Sequence, residues 1–280
     1  MKTIAITGAS GFVGQNLIKF FTSKNQKVVP IKREYLKDDK KLLEIVSTSD
    51  IIINLAGANI INRWTESYKE LLYSSRIDTT KALVKAINNS DTKPQLLIST
   101  SAIGVYDNKN TYDETAPIND DFLGNLGKDW EAEAKKAQIP VSIFRFGIVL
   151  GKNGGALDKM LLPFKLGVGG VIGSGNQAFS FIHMEDLLKA YEYVIENNLD
   201  GIFNLVSPTP TTNKGLTKAL GKYLHRPTVL PVPEFMLKLI FSEGAKILTD
   251  GQSVVPQNLL TSGFKFKYNN IDEAIEELVK

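Results

Sequence analysis

The stretch "TGASGFVG", residues 7–14, decides the fold that this chain predicts. It follows a short apolar run, "TIAIT" (3–7), and it leads into a helical pattern over 14–24. Its three glycines would let the backbone turn sharply, approach a pyrophosphate and pack helix against strand, with the helix N-terminus facing negative charge. Three glycines alone are weak evidence, but this position between strand and helix is the required context. We therefore predict a dinucleotide-binding loop rather than a purely structural turn.

The rest of the chain repeats the alternation of apolar runs and helical patterns, which is typical of a parallel α/β sheet. Runs of Ile, Val and Leu predict strands that are covered on both faces. These runs are residues 3–7, 27–31, 50–54, 95–99, 141–146 and 201–206. The clearest helical patterns between them cover residues 14–24, 66–89 and 184–198. The predicted fold class is α/β, a Rossmann doubly wound parallel sheet with a smaller interleaved C-terminal substrate region.

The composition of the chain changes after residue 150. Residues 151–177 are rich in glycine, and a proline-punctuated tail begins at Pro208. We predict an NAD(P)-binding Rossmann domain and a smaller substrate-binding region. The Rossmann domain covers 1–151 and is completed by 182–206, and the substrate-binding region is formed by 152–181 and 207–280.

Composition excludes several classes of function. The 33 Lys and Arg residues are dispersed among 30 Asp and Glu residues, which argues against a nucleic-acid partner. The chain has no cysteine and only two, widely separated histidines, which argues against disulfides and a structural metal site. No apolar run approaches the ~18 residues of a membrane span, and the first run ends too early for a signal peptide. We expect a cytoplasmic monomer or homodimer that acts on a small molecule.

The end of the second predicted strand bears on the type of cofactor. An NAD site usually places Asp or Glu about 20 residues past the glycines, on the ribose hydroxyls. Here the strand runs into Lys32 and Arg33, and a guanidinium suits a ribose 2′-phosphate through charge-assisted hydrogen bonds. Two solvated surface cations, or Glu34 as a ribose ligand, are the alternatives. The sequence favours NADP(H) over NAD(H).

Several segments resemble the extended short-chain dehydrogenases/reductases. "TGASGFVG" matches their TGxxGFxG loop, and "NLAGA" (54–58) is similar to the segment that passes under the adenosine. "STSAIGVYD" (99–107) resembles their serine-bearing strand end, and "FRFGIVLG" (144–151) resembles the strand that leads to the nicotinamide. "FSFIHMEDL" (179–187) resembles the motif that returns the chain to the cofactor domain.

Further segments narrow the resemblance to the "epimerase family protein" branch of atypical short-chain dehydrogenases. They are residues 62–80, 128–134, 154–183, 224–235 and 250–266. The resemblance covers essentially the whole chain. Members of this branch are named after nucleotide-sugar epimerases, and some after cell-division inhibitors. The resemblance implies the fold and the cofactor, but it does not imply a substrate.

The glycine loop, the second strand and this resemblance together give a set of candidate cofactor-binding residues. Arg76 belongs to it because it lies on the helix that flanks the cofactor cleft, although surface charge is the alternative. The set is Thr7, Gly8, Ser10, Gly11, Phe12, Val13, Gly14, Lys32, Arg33, Leu55, Ala56, Gly57, Arg76 and Ser99.

The resemblance also implies a catalytic set, which this chain carries only in part. Extended members use Ser or Thr, a Tyr, and a Lys four residues after the Tyr, a spacing that puts both on one helical face. The Lys and the cofactor lower the Tyr pKa, so that the phenol can move a proton. Ser101 matches the serine, with a strand-end hydroxyl that bonds backbone as the alternative. None of the nine tyrosines has a Lys four positions later.

The helical stretch "NLGKDWEAEAKKA" (125–137) stands where relatives carry that pair, with Gly124 four residues before Lys128. Lys128 would reach cofactor hydroxyls or be solvated. Tyr106 would lie beside the nicotinamide or pack in the core. The candidate catalytic residues are therefore Ser101, Tyr106 and Lys128. Other acids that could move the proton, none of them singled out by the sequence, are Glu114, Asp129, Glu131 and His183.

A few polar residues outside these motifs are candidates for substrate contacts. Gln177 and Ser180 precede "FIH", and His183 stands at a predicted helix start, where a structural hydrogen bond is the alternative. Arg145 lies inside a strand that reads as buried, so it needs a partner, and we predict an ion pair.

Three functions follow from these observations. The first is an NADP-dependent, epimerase-like enzyme that acts on a nucleotide sugar or a related hydroxy or carbonyl compound. The second is an NADPH-dependent reductase of a small carbonyl compound. The third is an NADP-binding sensor or interaction protein without catalysis. The missing Tyr–Lys pair favours the third, whereas Ser101 and the long second region favour a substrate pocket.

Overall fold

The strands of the protein form one large parallel sheet and two short pairs in the computed structural model, which describes all 280 residues. In chain order they are β1 (Thr3–Thr7), β2 (Lys27–Ile31), β3 (Ile51–Asn54), β4 (Leu96–Ala102), β5 (Thr111–Tyr112), β6 (Val141–Phe146), β7 (Ile148–Leu150), β8 (Phe181–His183), β9 (Gly201–Leu205) and β10 (Ser253–Val254). The six predicted strands are β1, β2, β3, β4, β6 and β9, and all six lie in the large sheet.

Eleven α-helices connect and cover these strands. They are α1 (Phe12–Ser23), α2 (Asp39–Ser47), α3 (Glu66–Asn89), α4 (Phe122–Ala134), α5 (Gly155–Lys165), α6 (Met184–Glu196), α7 (Asn213–Leu224), α8 (Glu234–Phe241), α9 (Lys246–Thr249), α10 (Gln257–Ser262) and α11 (Ile271–Val279). Three short 3₁₀ helices cover Arg33–Lys37, Ile103–Val105 and Ser242–Ala245. None of the helices has both the length and the apolarity that a bilayer crossing needs.

The sheet has the strand order β2-β1-β3-β4-β6-β9, with every neighbouring pair parallel. The chain runs from β1 outward to β2 and then crosses to β3 on the other side of β1. This reversal opens a crevice at the carboxyl ends of the strands, where ligands of open α/β sheets bind. The predicted fold class, a doubly wound Rossmann sheet, is confirmed.

Apolar side chains cover the sheet on both faces, as the strand composition predicts. On one face Leu17 of α1, Tyr191 of α6 and Leu259 of α10 belong to one buried cluster. On the other face Leu42 of α2 and Leu83 of α3 belong to a second cluster, which α4 completes with Ala134.

A third buried cluster lies around the short parallel pair β7–β8. Leu157 of α5, Leu220 of α7 and Ile275 of α11 belong to it. The C-terminal segment does more than build this cluster, because α10 packs under the large sheet and β10 pairs with β5.

Candidate cofactor and active site

The glycine loop has the geometry of a phosphate cradle. Gly8 has a φ of +65°, and a Cβ on this residue would lie 2.9 Å from the backbone carbon of Leu55. A Cβ on Gly14 would lie 2.4 Å from the carbonyl oxygen of Gly8. Helix α1 starts at Phe12 after the N-cap Gly11, and no side chain caps it. Its first N–H groups are therefore available to an anion, and the loop fits a pyrophosphate.

Buried hydrogen bonds of Thr7 hold this loop against the segment after β3. Thr7 Oγ1 donates to Asn54 Oδ1 at 2.7 Å and accepts from the backbone N–H groups of Leu55 and Ala56 at 3.1 and 3.2 Å. Because Thr7 and Asn54 are both fully buried, the separation of the two loops is fixed before any ligand binds.

A cavity of about 950 Å³ opens between these two loops, a size within the usual range for small-molecule and cofactor sites. It brings together nine of the candidate cofactor-binding residues: Thr7, Gly8, Ser10, Gly11, Lys32, Arg33, Leu55, Ala56 and Gly57. The sequence did not single out Lys37, Ser74, Ser75 and Asp78, which also line it. Ser74, Ser75 and Asp78 lie in the segment 62–80 that carries the resemblance, but their place at the cavity depends on the packing of α3, and that of Lys37 depends on the 3₁₀ helix after β2.

The rim of this cavity at the end of β2 is cationic. Lys32, Arg33 and Lys37 are exposed there, with the exposed acids Glu34 and Asp38 next to them in the chain. Glu34 lies 3.7 Å from Lys32, whereas Arg33 has neither an ionic partner nor a hydrogen bond. This arrangement suits a ribose 2′-phosphate, since the guanidinium of Arg33 is free to bind it.

Four further candidate cofactor-binding residues support the loops from outside the cavity: Phe12, Val13, Gly14 and Ser99. Phe12 packs against the glycines that begin α5, and Val13 packs against the cluster on one face of the sheet. Ser99 is buried, and its hydroxyl lies 3.5 Å from the side-chain nitrogen of Asn54.

Arg76 of α3 is a largely desolvated cation beside the loop after β3. Its guanidinium donates to the carbonyl oxygens of Leu72 and Ala58, both at 3.0 Å, and lies over the ring of Trp130 at 5.3 Å. A Cβ on Gly57 would lie 3.1 Å from it. Burial lowers the pKa of Arg76 to about 10. No carboxylate faces this charge, so an anion bound near Gly57 would gain from it.

Ser101, at the end of β4, belongs to a buried ionic network. Its hydroxyl donates to Glu131 Oε1 at 2.8 Å. Arg145 donates to both oxygens of the same carboxylate, from Nε at 2.7 Å and from Nη2 at 2.8 Å. Arg145 thus has the partner that its burial requires. The one proton of Ser101 points at a carboxylate that an arginine holds in place.

Tyr106 is a core residue of the same network. It is 1% exposed, and its hydroxyl accepts from Arg145 at 2.7 Å and donates to Asn204 Oδ1 at 3.0 Å. Burial raises the pKa of Tyr106. Of the two sequence-based interpretations, the structure shows the packed aromatic residue. A phenol whose donor and acceptor sites are both used is not free to bond a ligand.

The face of α4 that lies over the end of β4 carries Leu123, Gly127 and Glu131, at spacings of four residues. Leu123 reaches Gly104, and a Cβ on Gly127 would lie 3.8 Å from the Ser101 hydroxyl. Lys128, on the same helix, is exposed and makes no hydrogen bond. Because residues four positions apart lie on one face of a helix, the sequence could have grouped Leu123 and Gly127 with Glu131.

The three candidate substrate residues make hydrogen bonds to other parts of the protein backbone. Gln177 donates to the carbonyl of Ile172 and lines a separate, polar cleft of about 370 Å³. Ser180 bridges to the segment of β10. His183 accepts from the N–H of Glu185 at the start of α6. None of the three bonds to Ser101 or Tyr106.

Apolar residues converge beside the first turn of α4, which the sequence did not reveal. Trp64, Leu72 and Leu126 form a small buried cluster, the Trp64 cluster. The partly buried side chains that pack against it are Ala58, Ile60, Tyr68, Phe122, Leu123 and Ile247. The cluster joins the loop after β3 to α4 and α9.

Comparison with known proteins gives a consistent result along the whole chain. Residues 4–205 match the NAD dependent epimerase/dehydratase family, and residues 232–278 match a domain of unknown function, DUF1731. The epimerase family protein SDR39U1 of Mus musculus is 36% identical over 99% of each chain. The SDR39U1 homolog of Arabidopsis thaliana, described as chloroplastic, is 34% identical over 99% of this chain and 87% of its own.

The crystal structure of human epimerase family protein SDR39U1 (isoform 2) with NADPH has the same fold. It superimposes with a TM-score of 0.89 at 31% sequence identity, over 99% of each chain. That relative was crystallised with NADPH, and the loops that form the cavity described above belong to the fold that the two proteins share.

Proposed function

Since this chain belongs to the NAD dependent epimerase/dehydratase family, we propose that it binds NADP(H) and transfers hydride to or from a hydroxy or carbonyl compound. Nucleotide sugars are the first class of substrate to test, because the branch that the sequence resembles is named after their epimerases. The observation that carries the proposal is the phosphate cradle with the unpaired Arg33 on its rim.

The residues of the cavity have separate tasks in this proposal. The uncapped N-terminus of α1 binds the pyrophosphate, and Arg33 binds the 2′-phosphate. Arg76 supplies a buried positive charge beside Gly57. The cofactor, when bound, supplies or accepts the hydride.

The cofactor preference is tested by equilibrium binding of NADPH and NADH to the wild-type protein and to Arg33→Ala. We expect the wild type to prefer NADPH, and the variant to lose roughly 10-fold or more of that affinity while its affinity for NADH is unchanged. Lys40→Ala, an exposed cation of α2 that does not line the cavity, is the matched control. Equal affinities of the wild type for NADPH and NADH would contradict the proposed preference.

A second candidate function is an NADP(H)-binding sensor without catalysis. The buried network favours it, because the hydroxyl protons of Ser101 and Tyr106 are both committed to partners inside the protein. Thermal-shift and turnover screens with nucleotide sugars and carbonyl compounds, in the presence of the cofactor, separate the two functions. Bound NADPH that persists for hours with every compound would support the sensor.

A further inference from the structure

The exposed apolar side chains of the protein are concentrated in two segments. Of its thirteen exposed large hydrophobic residues, nine lie within 162–168 and 229–240. Their exposed fractions run from 48% to 81%, so these side chains project into solvent. Single exposed apolar residues are ordinary, but such a concentration indicates contact with another surface. The nine are Leu162, Leu166, Val168, Val229, Leu230, Phe235, Met236, Leu239 and Ile240.

Backbone contacts hold the two segments side by side. The N–H of Val232 donates to the carbonyl oxygen of Val171 at 2.8 Å. A Cβ on Gly170 would lie 1.5 Å from the carbonyl oxygen of Leu230, so the two stretches of backbone meet with no room for a side chain. The end of α5 and the start of α8 therefore lie next to each other. They form one surface, which we call the α5–α8 surface and which consists of residues 155–168 and 226–240.

Exposed cations stand among these apolar side chains. Lys159 and Lys165 are each three residues from Leu162, so the three share one side of α5. Lys238 is three residues from Phe235 on α8 in the same way. None of the four cations of the α5–α8 surface forms an ion pair; they are Lys159, Lys165, Arg226 and Lys238. The surface contains two acids, Asp158 and Glu234, so its net charge is positive.

This charge decides between the occupants that an apolar surface can have. In a symmetric dimer the α5–α8 surface would meet its own copy, and its unpaired cations would be brought close to one another. Like charges placed together at an interface oppose association. An anionic lipid bilayer instead attracts lysine and arginine side chains near its surface. Apolar side chains that project from a helix can also enter the boundary between headgroups and acyl chains.

We propose that the α5–α8 surface docks reversibly on an anionic lipid bilayer. Helix α8 lies in the plane of the interface, with Phe235 and Leu239 among the acyl chains and Lys238 at the headgroups. The docked surface is connected to the cofactor cavity. Arg63 Nη1 donates to the carbonyl oxygen of Leu239 at 2.9 Å, and the loop that carries Arg63 continues from Ala58, which lines the cavity. Docking therefore brings the cofactor site to the membrane surface, and it does not depend on hydride transfer.

Co-sedimentation with vesicles tests the proposal. The probes are vesicles of phosphatidylcholine alone and vesicles in which about one-third of the lipid is phosphatidylglycerol. We expect the wild-type protein to bind the anionic vesicles at least about 10-fold more tightly than the neutral ones, because four cations favour the anionic surface. Raising the salt concentration from about 0.05 M to 0.5 M should weaken this binding, since salt screens exposed charges.

Two pairs of variants test the apolar and the charged parts separately. Leu239→Ser should weaken binding to the anionic vesicles roughly 10-fold, whereas Leu260→Ser, at an exposed leucine outside the surface, should leave it unchanged. Lys238→Gln should weaken it roughly fivefold, whereas Lys40→Gln, at an exposed lysine of α2, should not. Thermal melting and NADPH binding of each variant verify that it is folded.

Fluorescence locates the docked residues. On addition of anionic vesicles, the emission of Phe235→Trp should shift to shorter wavelength and should be quenched by lipids with brominated acyl chains. The matched control, Leu260→Trp, should show neither effect. The two native tryptophans, Trp64 and Trp130, are buried and give a constant background.

Every outcome bears on the proposal. No binding of the wild type to anionic vesicles would overturn it, as would equally tight binding to neutral vesicles. Vesicle binding that survives Leu239→Ser would show that another surface meets the bilayer. A homodimer that Leu239→Ser dissociates, together with no vesicle binding, would assign the α5–α8 surface to a second copy. Loss of NADPH binding would contradict the proposed function and leave this inference standing.

Discussion

The carboxylate of Glu131 binds both polar side chains at the end of β4 and β6, Ser101 and Arg145. Glu131 is 3% exposed and accepts hydrogen bonds from Ser101 and Arg145, so that a buried positive charge and a buried hydroxyl are satisfied by one side chain. Such a pair is weak evidence for net stability, but breaking it leaves an uncompensated charge in the core. Removing one partner should therefore lower the free energy of unfolding strongly, even if the intact pair contributes little net stability.

Glu131→Gln should lower the free energy of unfolding by about 3–5 kcal/mol, because a neutral amide leaves Arg145 buried without its counter-charge. Denaturant unfolding measures this change. The control is Glu133→Gln on the same helix, which removes only an ion pair with the exposed Lys136 and should cost less than about 1 kcal/mol. Similar losses for the two variants would show that the buried charge is not the cause.

The sequence pointed to both Arg145 and Glu131 but did not predict that they form an ion pair with each other. Arg145 is recognisable as a charge inside an apolar strand, and Glu131 as one of several acids on a helix. Which acid meets the arginine depends on how α4 is rotated against β4 and β6, and tertiary packing sets that rotation. Tyr106 shows the same limit, since nothing in "GVYD" reveals that Asn204, 98 residues away, accepts its proton.

Among the elements, those with a strong local pattern could be predicted from the sequence almost to their ends. Strands β1, β2 and β6 and helix α3 have the predicted bounds. Strand β4 runs on to Ala102 because its polar end is paired with β6, which an apolar run cannot show. The short strands β5, β7, β8 and β10 have two or three residues each, too few for any periodicity, and their pairing partners are distant in the chain.

Helix α6 begins with an unusual cap that couples its stability to pH. Nδ1 of His183 accepts from the N–H of Glu185 at 3.1 Å, and Nε2 lies 3.1 Å from Glu277. A protonated imidazole has no acceptor, so protonation would remove the cap. Burial lowers the pKa of His183 below its usual value, although Glu277, Asp186 and Glu185 oppose the shift.

This cap should make the protein less stable in mild acid. Because the folded state binds the His183 proton more weakly than the unfolded state, its contribution is complete above the unfolded pKa of about 6.5 and is lost as the pH falls below it. His183→Asn keeps a capping oxygen but does not titrate. Between pH 8 and 5 the wild type should lose about 1 kcal/mol more unfolding free energy than this variant.

The other histidine provides the control for this prediction. His225 follows α7, and its side chain makes no hydrogen bond. His225→Asn should therefore retain the pH dependence of the wild type in the same denaturant titrations. If His183→Asn also retained it, the cap would not be the source of the acid sensitivity.

At the scale of the whole molecule, packing contacts link the glycine loop to the third apolar cluster. The ring of Phe12, the first residue of α1, lies against the glycines that lead into α5, and a Cβ on Gly154 or Gly155 would come within 2.8 or 2.6 Å of it. Helix α5 in turn contributes Leu157 to the third cluster. A ligand that orders the loop should therefore also stabilise the start of α5, far along the chain.

Hydrogen exchange with and without NADPH measures this connection. In the wild type, NADPH should slow exchange of backbone amides in the first turn of α1 and in the first turn of α5, because binding lowers the population of locally opened states. Phe12→Ala should keep the effect in α1 and lose most of it in α5. Phe20→Ala, which alters a partly buried ring at the other end of α1, should keep both effects. Protection of α5 that survives Phe12→Ala would mean that NADPH reaches α5 by another route, and that the packing of Phe12 against these glycines serves only to close the fold.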